Sequence, residues 1–295
     1  MGITRRQFLK VLFLGTVATF LGMRVAKSPE WSIGIFTGMD ICSLTPHSRN
    51  PVLTADDITD LEALFVADPF LFFYEDVYWM FFEVMGKDGK GRIGFAKSSD
   101  GFEWKYGGII LDEQFHMSYP HVFEFNKKIY MLPETRKAKR VILFKAKKFP
   151  SKWEPLEIIE GEYLDPNFLV YGDDLYILCN SETLYPNEIH VFRAKKIEGP
   201  WEKVSIAKPV YRNAGPIIEV GGKLYRPFQG VRLPGDVLPI YGRYVGLAGI
   251  GGLNPYKETP LECLLPPNSP WASLRFHHIS FLPNKGIAAV DGSNY

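Results

Sequence analysis

The alternation of apolar and polar residues is most regular between Val66 and Glu83, where the sequence reads VADPFLFFYEDVYWMFFE. An Asp-Pro pair opens a first apolar run, the polar pair Glu75-Asp76 interrupts it, and a second apolar run ends on an acid. Two such runs separated by two polar residues are typical of antiparallel strands joined by a tight turn. This segment is therefore predicted to form a β-hairpin.

The hairpin is one copy of a repeat. Related segments occupy residues 118–135, 164–181, 214–230 and 277–292. Four copies carry a proline near the start of the first strand, and these prolines, Pro69, Pro120, Pro166 and Pro216, are 51, 46 and 50 residues apart. A strand-rich repeat of about 40–50 residues is the signature of a propeller blade. The predicted fold class is all-β, a five-bladed β-propeller.

Each of the first three hairpins is followed by another alternating strand and a turn that leads to a tryptophan. These tryptophans are Trp104, Trp153 and Trp201, and we expect them to pack between neighbouring blades. An isolated apolar stretch, Ile33–Phe36, is predicted to close the ring by completing the last blade. Helix signals are weak beyond residue 30, and Ala55–Leu64 is the one candidate.

The amino terminus has the pattern of an export signal. The basic stretch Thr4–Lys10 precedes an apolar run, Val11–Met23, that is short for a membrane-spanning helix. The pair Arg5-Arg6 resembles the twin-arginine motif. A buried helix is the alternative, but the run has no polar face. Residues 1–28 are predicted to be a twin-arginine signal peptide or a membrane anchor, and 29–295 an extracytoplasmic propeller that reaches its location through the twin-arginine export machinery.

Composition narrows the functional classes. The net charge is +1, so no overall field favours nucleic acid or an anionic membrane as partner. The three cysteines, Cys42, Cys179 and Cys263, lack the CxxC spacing of a zinc site. One disulfide and one free thiol are compatible with them, and the pairing stays open. The sequence has no glycine-rich phosphate loop and no Gly-x-Ser-x-Gly elbow.

Polar residues are expected to converge at the mouth of the central channel, because the first strand of every blade lines that channel. The starts of these strands carry Asp68, Tyr119, His121, Asp165, His277 and His278. The ends of the second strands carry Glu83, Glu134, Asn180, Gln229 and Asp291, and His116 lies just before the second blade. Carboxylates, amides, imidazoles and aromatic rings such as Tyr119 and Tyr74 are together typical of a sugar site.

Each candidate also has a structural interpretation. An aspartate before proline stabilises turns and often starts strands. Strand alternation predicts that only one of the rings of His277 and His278 faces inward, and a lone inward histidine is more often a core group than a metal ligand. No metal or cofactor is predicted, although a channel calcium or sodium ion is compatible with the pattern. Glu134 ends an apolar strand, so its carboxyl group is either solvated or buried with a raised pKa.

The stretch Ala67–Phe70, ADPF, and the turn Ser98–Trp104 resemble the five-bladed propeller glycoside hydrolases of the arabinanase, β-xylosidase and invertase superfamily. The resemblance implies a catalytic aspartate on the first strand of blade one, and Asp68 matches it. The arabinanase pattern also implies an aspartate where this chain has His121 and a glutamate where it has Leu164, next to an aspartate. The usual set of three carboxylates is therefore incomplete.

A narrower resemblance covers most of the chain after residue 30. The segments FVADPFLF, HMSYPHVFEFNKKIYMLPET, GGKLYRPFQG and AAVDG are similar to the amino-terminal propeller domain of glucosamine inositolphosphorylceramide transferases. The plant members carry a separate glycosyltransferase domain that has no counterpart in these 295 residues. The resemblance thus implies a propeller and an association with glycans, and does not imply transferase activity.

Three functional hypotheses follow. The first is an exported, glycoside hydrolase-like enzyme that acts on a glycan or glycoconjugate, with Asp68 as base or nucleophile and Glu134 or Asp165 as proton donor. An imidazole of His116 or His121 could replace the missing carboxylate, because it titrates near neutrality. The second hypothesis is a glycan-binding propeller without catalysis, which the incomplete carboxylate set favours. The third is a scaffold whose channel is only structural.

Overall fold

The computed structural model describes residues 31–181 and 187–294. The signal or anchor predicted for residues 1–28 therefore lies outside the described residues. Within the described part of the chain, no helix is both long and apolar enough to cross a membrane.

The described chain forms five antiparallel sheets of four strands each, which confirms the five-bladed β-propeller. The first two strands are β1 (Ser32–Thr37) and β2 (Thr45–Pro46). Blade one consists of β3 (Ala63–Tyr74), β4 (Val77–Gly86), β5 (Gly91–Ser98) and β6 (Lys105–Leu111). Blade two consists of β7 (Ser118–Phe125), β8 (Lys128–Glu134), β9 (Arg140–Lys148) and β10 (Lys152–Glu160).

The later blades repeat this order. Blade three consists of β11 (Tyr163–Tyr171), β12 (Asp174–Ser181), β13 (Asn187–Ala194) and β14 (Glu202–Val210). Blade four consists of β15 (Ile218–Val220), β16 (Lys223–Gly230), β17 (Tyr244–Leu253) and β18 (Tyr256–Leu265). Blade five takes its inner strands, β19 (Arg275–Leu282) and β20 (Ile287–Ser293), from the end of the chain.

Blade five closes the ring with strands from both ends of the described chain. Its strand order is β19-β20-β1-β2, and β1 pairs with β20 from Ser32 opposite Gly292 to Thr37 opposite Ile287. The prediction that Ile33–Phe36 completes the last blade is confirmed. A disulfide between Cys42, which follows β1, and Cys263 on β18 links blade five to blade four.

The core is divided into apolar clusters that lie between neighbouring blades. Trp104 packs in a cluster with Ile287 of blade five, and Trp153 packs in one with Phe81 of blade one. Trp201 contacts the cluster that joins blades two and three. The predicted position of the three tryptophans between blades is therefore confirmed.

The weak helix prediction for Ala55–Leu64 is wrong. Only a short 3-10 turn, Ala55–Asp57, forms there, and Asp57 Oδ2 caps it by accepting from the backbone N–H of Thr54 at 2.8 Å. Strand β3 already begins at Ala63, because pairing with β4 satisfies the backbone that a helix would otherwise bond internally.

Candidate functional site

The first strand of blades one, two and three starts with the same irregular backbone. Asp68, Tyr119 and Asp165 each precede the repeat proline, and their φ angles are 51°, 51° and 48°. Non-glycine residues rarely adopt this left-handed region. The register with the second strand shifts at the same points, because proline offers no N–H to the ladder and a bulge accommodates it. Backbone strain repeated around one axis is characteristic of a functional site.

Asp68 belongs to a buried cluster of acids and imidazoles. Its backbone N–H donates to Asp291 Oδ2 at 2.8 Å, and its Oδ1 lies 3.5 Å from His277 Nε2. His277 Nδ1 is 2.7 Å from Asp291 Oδ1, so both ring nitrogens face carboxylates. Burial lowers the pKa of His277, but the two acids outweigh burial and the net shift is upward. The two acids therefore favour the protonated, imidazolium form of this ring.

The prediction that only one of the two adjacent histidines faces inward is wrong. Both His277 and His278 are buried, and His278 Nδ1 also lies 3.5 Å from Asp68 Oδ1. A bulge between Phe276 and His278 breaks the strict alternation of the strand. Burial lowers the pKa of His278 to about 3. This ring is therefore neutral beside Asp68, which His277 also contacts.

Arg212 links two of the predicted acids, and sequence reasoning did not identify it. Its guanidinium holds Asp165 through two contacts, Nε to Oδ2 at 2.5 Å and Nη2 to Oδ1 at 2.9 Å. Its Nη2 also lies 3.5 Å from Glu134 Oε2. Burial lowers the pKa of Arg212, but the neighbouring acids reverse this effect and raise it. Asp165 is thus an ion-pair partner that fixes Arg212 beside Glu134.

A positional signal in the repeat could have revealed Arg212. It lies four residues before Pro216, as Phe65 lies four residues before Pro69 and His116 lies four residues before Pro120. These three side chains reach the wall of the same cavity, whereas the exposed Glu162, four residues before Pro166, does not. The chemistry differs at each copy, so the shared position is visible only after the repeats are aligned on their prolines.

His116 faces the acid at the end of β4. The backbone N–H of Gly91 donates to His116 Nδ1 at 3.0 Å, which places the proton of the neutral ring on Nε2. That nitrogen lies 3.4 Å from Glu83 Oε1. Burial and the nearby acids Asp68 and Glu134 raise the pKa of Glu83 well above its usual range. Burial, together with nearby basic side chains, lowers the pKa of His116, so the two shifts favour the uncharged forms of both groups.

Asp68 and Glu134 both have strongly raised pKa values. Burial raises the pKa of Asp68 to about 7, His277 opposes the shift, and Asp291 adds to it. Burial raises the pKa of Glu134 to about 8, with Asp165 adding to the shift and Arg212 opposing it. The shifts place the pKa of Asp68 near neutrality and that of Glu134 above it, so Asp68 is the more readily ionised of the two acids.

These groups lie around one cavity of about 370 Å³ at the channel mouth. Five of the predicted residues reach its wall: Asp68, Glu83, His116, Glu134 and His277. The wall also contains residues that the sequence did not suggest, namely Trp31, Phe65, Arg136, Lys137, Arg212 and Tyr241. The Trp31 ring lies 4.2 Å from the His277 ring, measured between centroids, and meets Tyr241 edge-on. Acids, cations and aromatic rings therefore meet in a single concave site.

The other predicted residues lie behind the wall or in bonds that join the blades. They are Tyr119, His121, Asp165, Asn180, Gln229, His278 and Asp291. Tyr119 Oη donates to Gly215 O at 2.7 Å and accepts from Gly215 N at 2.9 Å, which joins blade two to blade four. The Nδ1 of His121 accepts from Phe168 N at 3.2 Å.

The side chains of Asn180, Gln229 and Tyr74 also lie away from the cavity wall. Asn180 Oδ1 accepts from Asn213 N at 2.9 Å, and Gln229 Nε2 donates to Asn213 O at 3.0 Å. Both amides therefore hold the backbone just after Arg212. Tyr74 ends β3 at the opposite end of the blade, where it packs against Phe72 and Phe149, so the structure does not bring it to the cavity.

Asp68, His277 and Asp291 also satisfy a simple geometric criterion for a cation site. Each offers a ligand atom, and these atoms lie within 4.8 Å of one another. The same atoms already face each other, with the His277 ring between the two acids, and a cation would bind there only if the ring lost its second proton. The absence of a metal or cofactor remains a prediction.

The fold is shared with five-bladed glycoside hydrolases of known structure. A GH43 protein from Bacillus licheniformis superimposes with a TM-score of 0.60 and 16% identity, over 84% of this chain and 55% of that one. An exo-β-1,3-galactanase from Phanerochaete chrysosporium, solved with β-1,3-galactotriose, superimposes with a TM-score of 0.57 and 13% identity, over 88% of this chain and 60% of that one. At these identities the likeness concerns the fold alone.

Within that fold class the sequence defines a narrower family. The family described as glucosamine inositolphosphorylceramide transferase 1, N-terminal, matches residues 24–292, and this chain belongs to it. The transferase 1 of Oryza sativa subsp. indica is 33% identical over 305 residues, and that of Arabidopsis thaliana is 30% identical over 311 residues. The matches cover 89% and 92% of this chain, and 40% of each relative. The narrower resemblance seen in the sequence is confirmed, and the broader one is confirmed as far as the fold.

Proposed function

We propose that this protein is an exported, carbohydrate-active propeller that hydrolyses a glycosidic bond of a glycan or glycoconjugate at the channel mouth. The proposal rests on one observation: Asp68 and Glu134 lie on one cavity wall with pKa values raised to about 7 and about 8. An ionised and a protonated carboxyl group on the same wall are the pair that glycoside hydrolysis requires.

The roles follow from the surroundings of each acid. Glu134, protonated near neutral pH, donates its proton to the leaving oxygen as the bond to the sugar breaks. Asp68, ionised, either activates a water molecule or attacks the anomeric carbon, and water then completes the cleavage. Asp165 is held by Arg212, so it supports Glu134 through the guanidinium and is not the donor. The rings of Trp31 and Tyr241 offer faces on which a sugar could stack.

Two comparisons support carbohydrate as the ligand class. The galactanase of the same fold was solved with β-1,3-galactotriose, and the plant relatives carry the name glucosamine inositolphosphorylceramide transferase 1, which contains an amino sugar and a lipid. The chain spans only about two fifths of the length of those relatives. The transferase activity of the whole plant proteins is therefore not part of the proposal.

The decisive experiment measures sugar release from a panel of polysaccharides and glycolipids by the full chain. Asp68→Asn and Glu134→Gln are each expected to lower the rate by about two orders of magnitude or more, because each removes an acid–base group. Glu219→Gln, which changes an exposed acid on β15, is the matched control and should be neutral.

A glycan-binding propeller without catalysis is the second candidate. His121 and Leu164 occupy positions at which the hydrolase pattern has acids, and this observation favours a binding protein over an enzyme. It predicts saturable glycan binding with no release by the wild type, and binding that survives Asp68→Asn. Release that is unchanged in both carboxyl variants would contradict the hydrolase assignment.

An extracytoplasmic location is part of the proposal. The Arg5-Arg6 motif supports twin-arginine export, and the Cys42–Cys263 disulfide fits an oxidising compartment. Fractionation of a bacterial host should find the wild type outside the cytoplasm, cleaved or anchored by its amino-terminal segment. Replacing both arginines with lysine should retain it inside, and export of that variant would contradict this route.

A further inference from the structure

The connection between β16 and β17, here called the 231–243 loop, differs from its counterparts. It has 13 residues, whereas the equivalent connections of blades one and two have four and five. Two adjacent aliphatic side chains at its tip face solvent, with Val237 85% exposed and Leu238 71% exposed. These are among the most exposed large apolar side chains of the described residues, and neighbouring aliphatic groups on a surface mark a contact site.

The base of the loop is firmly held, so the tip is presented by structure. Arg243 pairs with Asp236 through two contacts, at 2.8 and 3.2 Å, and donates to Leu274 O at 2.7 Å. Leu233 N donates to the same carboxylate at 2.7 Å. Ile240 N donates to Val231 O at 2.7 Å, which closes the loop behind its tip.

The loop stands beside the cavity mouth. Its Tyr241 lines the cavity and contacts the rings of Trp31 and His277. In blades one, two and four, the described connections from the second to the third strand contribute Gly89, Arg136 and Tyr241 to the cavity wall and so lie on this face. A surface that covers the tip would therefore lie over the cavity opening.

The charges around the loop are mainly positive. Arg232 is exposed within the loop, Arg275 adjoins it through the hydrogen bond from Phe276 N to Gly242 O, and Arg243 is neutralised by its ion pair with Asp236, the acid within the loop. The cavity wall adds Arg136 and Lys137 on the same face, in front of the buried acids Asp68, Glu83 and Glu134. Aliphatic groups flanked by cations fit the boundary between the headgroups and acyl chains of an anionic lipid layer.

We propose that the 231–243 loop docks the channel mouth onto an anionic lipid surface, with Val237 and Leu238 entering the headgroup–acyl boundary. Pro234 and Pro239 flank the tip and carry no backbone N–H. Fewer backbone donors would therefore lose their hydrogen bonds to water when the tip enters the lipid layer. Two aliphatic side chains are too small a surface for a stable protein interface. This inference rests on the proposed function, because it identifies the substrate as the glycan headgroup of a membrane lipid.

The test places an indole at the tip of the full chain through Leu238→Trp. The matched control is Val170→Trp, because Val170 is 50% exposed on β11 near the hairpin at the opposite end of the propeller. Fluorescence is recorded in the presence of phosphatidylcholine vesicles that either contain or lack the anionic lipid phosphatidylglycerol. Each kind of vesicle is prepared with ordinary and with brominated acyl chains, because bromine quenches a nearby indole. The wild-type signal of the six native tryptophans is subtracted.

With anionic vesicles, the indole introduced by Leu238→Trp should emit at a shorter wavelength. Brominated acyl chains should quench most of this emission. The indole introduced by Val170→Trp should do neither. This contrast holds even if the amino-terminal apolar segment binds the vesicles, because quenching reports the position of the label. Equal quenching at the two sites, or none at Leu238→Trp, would overturn the proposal.

A second measurement separates this inference from the proposed function. Val237→Ser combined with Leu238→Ser should lower release or binding of a lipid-embedded glycan at least tenfold and leave the water-soluble form of that glycan unaffected. Equal losses on both forms would place the tip in the sugar site and overturn the docking role. Loss of activity by Asp68→Asn on both forms would support the hydrolase assignment independently.

Discussion

At the scale of single residues, the cavity owes its chemistry to neighbours that are distant in sequence. Asp68 meets His277 and Asp291 from the other end of the chain, and Glu134 meets Arg212 from blade four. Each acid is buried, and burial is the largest cause of its raised pKa. Its protonation state therefore depends on ring closure as well as on its own blade.

The raised pKa values predict how stability changes with pH. In the unfolded chain these acids have pKa values near 3.8 and 4.5, and in the folded protein near 7 and 8. The folded state binds the protons more tightly, so this contribution is complete below about pH 4 and is lost as pH rises through 7 to 8. The wild type should therefore have a lower free energy of unfolding at pH 9 than at pH 5. Glu134→Gln should reduce this difference by about 2–4 kcal/mol, because glutamine does not titrate.

Urea denaturation of the wild type and Glu134→Gln at several pH values checks this expectation. Glu219→Gln, which changes an exposed acid, should follow the wild-type curve. A Glu134→Gln curve parallel to that of the wild type would show that Glu134 has an ordinary pKa in the folded protein.

At the scale of the element, the start of each first strand is the unit that builds the site. The proline and the residue before it create a bulge, and this places Asp68, Tyr119 and Asp165 in the left-handed region. In blade four the equivalent residue is Gly215, whose φ is 142°. A Cβ there would lie 1.8 Å from the carbonyl oxygen of Ile279, so glycine is required for blades four and five to approach.

Gly215→Ala should therefore destabilise the protein by more than about 3 kcal/mol, because the backbone must move and the bonds to Tyr119 Oη are disturbed. Gly172→Ala is the matched control. Gly172 also has a positive φ, 60°, but nothing lies within 4 Å of its added Cβ, so the expected cost is about 1 kcal/mol. Chemical denaturation measures both, and equal losses would contradict the close approach at Gly215.

At the scale of the whole molecule, the ring is closed in two ways. Strand β1 completes blade five, and the Cys42–Cys263 disulfide links that blade to the outer strand of blade four. The cysteines are 221 residues apart in sequence, so the bond closes a loop that spans most of the propeller. A covalent link of this kind stabilises mainly by restricting the unfolded chain.

Replacing both cysteines with serine should lower the free energy of unfolding by about 2–5 kcal/mol. Reductant should destabilise the wild type to a similar extent, because Cys42 is exposed, and should leave the double variant unchanged. The free thiol, Cys179, is buried in blade three and does not contribute to this difference. A reductant effect of equal size on the double variant would show that the disulfide is not its cause.

The periodic pattern of the sequence by itself determined the fold. Apolar runs of strand length, their proline spacing and the tryptophan turns predicted five blades, the closing strand Ile33–Phe36 and the packing of Trp104, because these features depend on local backbone preference and on burial of one face. The same repeat also indicated which positions reach the channel, and Asp68, Glu83 and Glu134 do reach the cavity.

Only the tertiary structure decided which groups act together. Arg212, Trp31 and Tyr241 come to the cavity from separate parts of the chain, and the bulge before His278 turns both histidines inward against the expected alternation. Contacts between blades join residues up to 223 positions apart in sequence, and a local pattern does not encode them. The pKa values of the site follow from those contacts and from burial, so they exist only once the ring is closed.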